Sequence, residues 1–119
     1  ILVHGVREVK ELAYHDYIQH ELPEHEFLGE MISQQLLYYP TVTREPFRNQ
    51  GRITTLIETG KLEADLGLPK IDPVNDRIMI CGSPGLNKDI KHILEARGFV
   101  EGSTTSPGDY VVERAFVEQ

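Results

Sequence analysis

The stretch that most constrains this chain runs from Ile78 to Gly98. It reads Ile78-Met79-Ile80-Cys81, then Gly82-Ser83-Pro84-Gly85, then an amphipathic segment closing at Arg97-Gly98. A short apolar run that stops at glycine predicts a strand, here one too apolar to be exposed on either face. Beyond it Leu86, Ile90, Ile93 and Leu94 recur at helical spacing. Ser83 suits the N-cap, Pro84 the first helical position and Gly98 the residue after the C-cap. A last apolar run, Tyr110 to Val117, predicts the strand that follows this helix.

The same alternation governs the first half. Ile1 to Val6 reads as a buried strand running into a glycine, and Val9, Leu12, Ala13 and Tyr17 predict a helix within Glu8 to His20. Pro23 ends that segment and opens the next, whose inward stripe is Phe27, Leu28, Met31 and Ile32. Leu36 to Thr43 is β-branched and aromatic and contains Pro40, which predicts a strand with an irregularity or an exposed edge. Ile53 to Gly60 and Leu62 to Leu66 read as short helical pieces parted by Gly60. Strands alternating with helices predict the α/β class, a mainly parallel open sheet with helices on both faces. At 119 residues the chain is long enough for one domain with a core of its own.

Composition narrows the partners. Twelve basic against nineteen acidic residues leave a net charge of −7, which argues against duplex nucleic acid or an anionic membrane surface. No apolar run is long enough to span a bilayer. The single cysteine, Cys81, permits no internal disulfide and fits a reducing, cytoplasmic compartment. No signal or transit peptide is visible, and an opening on apolar residues without Met predicts a piece of something longer.

An open parallel sheet receives ligands beyond the carboxyl ends of its strands. That rule nominates Gly5 to Glu8, Thr43 to Arg52, Cys81 to Gly85 and Glu113 to Phe116. The second of these is cationic: Thr41 to Arg52 carries Arg44, Arg48 and Arg52 against Glu45 alone, so the rest of the chain is at −9. Arginine grips phosphate in two places at once, and Phe47 among the arginines can lie flat on an adenine. The alternative is a solvated loop whose arginines pair with nearby acids. Cys81 sits where a strand meets a glycine turn and a helix N-terminus, a place that can hold an anion or lower a thiol pKa. For a lone cysteine a small buried hydrophobe is the commoner case. The turn is neither a Walker motif nor Gly-x-Gly-x-x-Gly. Metal binding fails on spacing: His20 to His25 is one residue too long for the inverted zinc-protease motif and is broken by Pro23, and His15 and His20 fall on different helix faces. Glu113 reads as a proton donor or as a salt-bridge partner.

Taken in order, His4-Gly5-Val6-Arg7, Val42-Thr43-Arg44-Glu45-Pro46 with Gly51-Arg52, Met79-Ile80-Cys81-Gly82-Ser83-Pro84, and Val112-Glu113-Arg114-Ala115-Phe116 resemble the bacterial ferredoxin/flavodoxin–NADP(+) reductases. The resemblance covers essentially the whole chain and is to the carboxyl-terminal NADP(H)-binding domain. It implies that Arg7 lies along the dinucleotide, that Thr43, Arg44 and Arg52 surround the 2′-phosphate, and that Phe47 sits beside the adenine. Cys81, with Gly82 and Ser83, would meet the nicotinamide, and Glu113 would supply protons and touch the flavin. Ala115 falls where plant-type relatives carry a stacking tyrosine, and Phe116 begins an extension near the FAD.

The implied cofactors are NADP(H) and FAD, and the implied chemistry is hydride exchange coupled to one-electron transfer with ferredoxin or flavodoxin. A monomeric enzyme is expected. The family's flavin-binding barrel and the first strand of its nucleotide domain, with its glycine-rich pyrophosphate loop, have no counterpart in residues 1–119. The chain by itself is therefore expected to be inactive, a partial NADP(H)-binding domain. Two alternatives stay open: a different flavin-dependent NAD(P)H reductase component of the same superfamily, and a non-catalytic NADP-binding or interaction module.

Overall fold

The computed structural model describes residues 1–113, which form two compact units, residues 1–56 and 57–113. In the first, strand β1 (Leu2–Val6) pairs in parallel with β2 (Tyr38–Val42), Leu2 opposite Tyr38 and Val6 opposite Val42. A parallel pair needs a long crossover. Residues 7–37 supply it, but not as the two helices that periodicity predicts.

A 3₁₀ turn at Val9–Glu11 is closed by a capping box between Glu8 and Glu11. Tyr14 then takes a left-handed φ of 62°, a π-helical turn spans Tyr17–Glu21, and a second 3₁₀ turn covers Leu22–Glu24. Helix α1 (Gly29–Gln35) is the regular part. Of the first expected stripe only Leu12 is buried. In the second, Phe27 is 80% exposed and Leu28 and Met31 are also open to solvent. Gly29 explains the altered rotation. A Cβ there would stand 2.2 Å from the Pro23 carbonyl oxygen, so backbone packs on backbone where the stripe called for side chains.

Pro40 lies inside β2 and is buried. Within the ladder Thr43 N–H donates to Val6 while Val42 N–H turns away from β1 to Asn49, so odd-numbered amides face β1 and even-numbered ones the opposite edge. Pro40 therefore lacks its N–H on the opposite edge, where the ladder does not need it. That edge is taken by the chain's own return: Val42 N–H donates to Asn49, Gly51 N–H donates to Val42, and the Asn49 side chain donates to the Pro40 carbonyl at 2.9 Å. Helix α2 (Ile53–Glu58) follows, and Ile53 packs against Gly5, where a Cβ would come within 2.9 Å.

In the second unit α3 (Lys61–Leu66) is set between Gly60 and Gly67, both at positive φ, as the glycine between the two helical pieces predicts. Strand β3 (Ile78–Cys81) pairs in parallel with β4 (Tyr110–Glu113), and α4 (Pro84–Ala96) is the crossover. Ser83 caps α4, its Oγ accepting from Leu86 N–H at 3.2 Å. At the other end Gly98 has φ 90°, with Gly98 N–H bonded to Glu95 and Phe99 N–H to Leu94, a Schellman closure. Ile80, Ile90, Ile93, Leu94, Phe99 and Tyr110 are buried, each contributing about 1.5–3 kcal/mol through apolar burial.

The α/β class and the parallel pairing are as the sequence predicts. The strands pair two and two, each pair inside its own unit. The expectation that β3 is hidden on both faces is not met: Ile80 is buried, but Met79 is 85% exposed and Cys81 is exposed beside it. Alternation along a strand puts these two on the face opposite Ile80.

Candidate functional site

The residues named from sequence fall into two groups, one in each unit. In the first, the β1–β2 ladder continues past the strands. Arg44 N–H donates to the Arg7 carbonyl at 2.9 Å, which sets Arg7, Thr43 and Arg44 side by side at the carboxyl ends of both strands. Residues 43–52 leave and return to β2, closed by Thr41 Oγ1 donating to the Gly51 carbonyl at 2.8 Å. Val9 N–H donates to Glu45 Oε1 at 2.6 Å, which holds the loop against the segment after β1. The one acid of the loop is thus committed to backbone. Arg7 reaches Glu11 at 3.6 Å across an exposed, weak pair. Arg44 and Arg52 are exposed and, among the described residues, make no ion pair. The solvated-loop alternative required those pairs.

Phe47 is half-buried, and the Arg48 guanidinium lies over its ring, 5.3 Å from the centroid. His15 approaches the ring edge-on at 6.2 Å and meets the Tyr38 hydroxyl through Nδ1 at 3.3 Å. Burial pushes the Tyr38 phenol above its ordinary pKa, and the charge of Arg48 works against that rise. Arg48 was counted in the loop's charge, but His15, Tyr38 and Gln19 were not expected at this site; these three carry no sequence signal because they arrive by tertiary packing.

In the second unit Cys81 and Glu113 are register partners in β3 and β4 and therefore lie side by side on one face. Both are exposed, so the buried-hydrophobe reading of Cys81 fails. Gly82 is enclosed by α4: a Cβ would stand 2.6 Å from Leu86 Cδ2, and Asn87 Nδ2 donates to the Gly82 carbonyl at 3.2 Å. Ser83 spends an acceptor lone pair on the helix cap and keeps its hydroxyl proton for donation. Ala115 and Phe116 lie outside the described residues. Among the described residues no group of three or more His, Cys, Asp or Glu is placed to hold a metal, and no helix is long and apolar enough to cross a membrane. A cavity of about 340 Å³ lined by Glu58, Gly60, Glu63, Lys70 and Arg97 includes none of the residues named from sequence.

The chain is 54% identical over 120 residues to the ferredoxin–NADP reductase of Pseudomonas aeruginosa, covering all of this chain and 46% of that protein. It is 51% identical to the ferredoxin–NADP reductase of Azotobacter vinelandii, with the same coverage of 100% and 46%. Over its whole length the chain is related to the ferredoxin–NADP reductases.

A further relative, the flavodoxin/ferredoxin–NADP reductase of Rhodobacter capsulatus, is 43% identical over 98% of this chain and 43% of its own length. Among solved structures, a ferredoxin NADP+ reductase from Neisseria gonorrhoeae with bound FAD and NADP superposes with a TM-score of 0.79 at 26% identity, over 97% of this chain and 44% of that one. No family model matches. The chain spans less than half the length of the curated reductases it matches, at 46% for the first two.

Proposed function

We propose that this chain is the NADP(H)-binding part of an FAD-dependent ferredoxin or flavodoxin reductase, monomeric and cytoplasmic, whose flavin is held mainly by a part outside these 119 residues. The observation that carries the reading is the tied-back cationic loop, with Arg44 and Arg52 exposed and without ion pairs among the described residues. An anion with several oxygens satisfies such side chains without breaking any internal contact. The 2′-phosphate of NADP(H) has that chemistry, and NAD(H) lacks it.

Each residue has a part to play. Arg44, Arg52 and the Thr43 hydroxyl hold the 2′-phosphate, and Phe47 offers the ring face not covered by Arg48 to the adenine. Arg7, freed from its exposed pair with Glu11, lies along the dinucleotide. Gly82 and Ser83 allow the nicotinamide end to approach backbone closely, and Cys81 borders it. Glu113, beside Cys81 in the sheet register, is the proton donor in this reading. When bound, the two cofactors supply hydride exchange between nicotinamide and flavin and single electrons for the carrier protein; the chain's own contribution is to hold the nicotinamide ring in place. Ala115 and Phe116 are assigned to the flavin side.

Amide chemical shifts of the chain titrated with NADP(+) test the reading. Residues 43–52 are expected to move on addition of NADP(+) and of 2′-phospho-AMP, and residues 81–83 on addition of NADP(+) but not of 2′-phospho-AMP. No shift in residues 43–52 with either ligand would refute the assignment.

A further inference from the structure

The side chains behind Phe47 form a directional hydrogen-bond relay. The Gln19 amide satisfies both neighbours in one orientation only: its oxygen accepts from Arg48 Nη1 at 3.0 Å and from Nη2, and its nitrogen donates to His15 Nε2 at 3.2 Å. Arg48 has donors and no acceptor, so it dictates that the amide oxygen face it. The amide nitrogen must then face His15, and His15 Nε2 must be an acceptor. A neutral imidazole with an acceptor at Nε2 carries its proton on Nδ1, which is the atom 3.3 Å from the Tyr38 hydroxyl. The relay Tyr38–His15–Gln19–Arg48 thus fits the neutral imidazole and conflicts with the charged one. In the charged form two donors oppose each other at 3.2 Å. Turning Gln19 to relieve that clash presents its NH₂ to Arg48 and removes the guanidinium's tether.

Among the described residues, the groups facing His15 are Tyr38 from β2, Gln19 from the π-helical turn, and Phe47 beneath the Arg48 guanidinium from the loop; of these only Arg48 is charged. We propose that Arg48 is a positioning residue for the nucleotide site, fixing Phe47 from one face so that a purine is received on the other, and that protonation of His15 releases this hold. The proposal rests on the nucleotide reading above. It assigns Arg48 a planar, tethered role distinct from simple attraction of phosphate, and it makes adenine recognition sensitive to the charge of His15.

Two measurements test it. The first uses the ligand-free chain with ring-labelled phenylalanine and follows the Phe47 resonances from about pH 8 to about pH 5.5, the range in which histidine titrates. They are expected to move as the pH falls in the natural chain, and in Arg48→Lys or Gln19→Met to keep only the smaller change that the direct edge contact of His15 with Phe47 gives. A change as large in both variants as in the natural chain overturns the relay.

The second is calorimetric titration with 2′-phospho-AMP, comparing the natural chain with Arg48→Lys and with His15→Gln. Arg48→Lys keeps the charge and is exposed, so it leaves folding intact; it is expected to weaken binding by about fivefold through the lost stacked, tethered plane. The ratio of natural to His15→Gln dissociation constants is expected to rise by about threefold on acidification, a comparison in which titration of the ligand's own phosphate cancels. Equal binding by Arg48→Lys, or a ratio flat with pH, overturns the positioning role. Absence of 2′-phospho-AMP binding by the natural chain sinks the nucleotide reading and this role with it, while the Phe47 titration reports on the relay separately.

Discussion

Removing Arg44 and Arg52 from the loop isolates the 2′-phosphate assignment. In Arg44→Ala plus Arg52→Ala no ion pair among the described residues is lost, and both side chains are exposed, so the thermal midpoint is expected to stay within about 2 °C of the natural chain. The loss falls on binding. A charge-assisted hydrogen bond contributes about 1.5–3 kcal/mol, and the two arginines share one phosphate under partial solvent screening, which brings the joint loss to about 2–4 kcal/mol. At 1.4 kcal/mol per decade that is about thirtyfold to several hundredfold in Kd for NADPH. For NADH, which has no 2′-phosphate, the same double variant is expected to change Kd by less than about threefold. Calorimetry at low salt measures both, since screening at high salt flattens the difference. Equal weakening of NADPH and NADH would refute the reasoning, because the arginines would then serve the dinucleotide generally.

Two further outcomes follow from the second unit. Arg97 Nη2 donates to the Ile57 carbonyl at 2.6 Å, and the Arg97 guanidinium faces Glu63, whose side chain is 5% exposed. Arg97→Ala leaves that carboxylate buried without its cation and is expected to cost about 3–5 kcal/mol in urea unfolding, whereas Arg97→Met with Glu63→Leu recovers most of it. A loss in the single variant below about 1 kcal/mol would contradict the buried-pair account. The Tyr110 phenol is pushed far above its ordinary pKa, first by burial and then by its hydrogen bond to Glu95. A raised folded pKa gives stability that is complete below the ordinary tyrosine range, near pH 10, and lost as pH rises above it. Tyr110→Phe is therefore expected to flatten the alkaline loss of stability, seen as a midpoint less dependent on pH above about 10. An unchanged slope counts against it.

What was legible in the sequence was what is locally encoded. Ser83, Pro84 and Gly98 mark α4 because caps and C-terminal glycines act within a few residues, and Gly60 separates α2 from α3 for the same reason. The crossover from 7 to 37 misled because its apolar spacing competes with tertiary demands. Tyr14 at φ 62° interrupts the first expected helix, His15 is drawn to Tyr38, and Gly29 is held against the Pro23 carbonyl. The site shows the same division. Composition located the cationic loop, and the order of motifs named Arg7, Thr43, Arg44, Phe47, Arg52, Cys81, Gly82, Ser83 and Glu113. It could not show that Asn49 and Thr41 close that loop onto β2, nor that Gln19 reaches Arg48. Short polar side chains do not announce partners that folding brings from elsewhere in the chain.

The central claim is that this chain carries a 2′-phosphate site of its own. Calorimetric titration of the unaltered chain with 2′-phospho-AMP and with 5′-AMP, side by side at low salt, tests it most directly. The account predicts saturable binding of 2′-phospho-AMP, weakened by added salt, with 5′-AMP binding at least about tenfold more weakly. Comparable affinity for the two nucleotides, or binding of neither by a chain that circular dichroism shows to be folded, would contradict it.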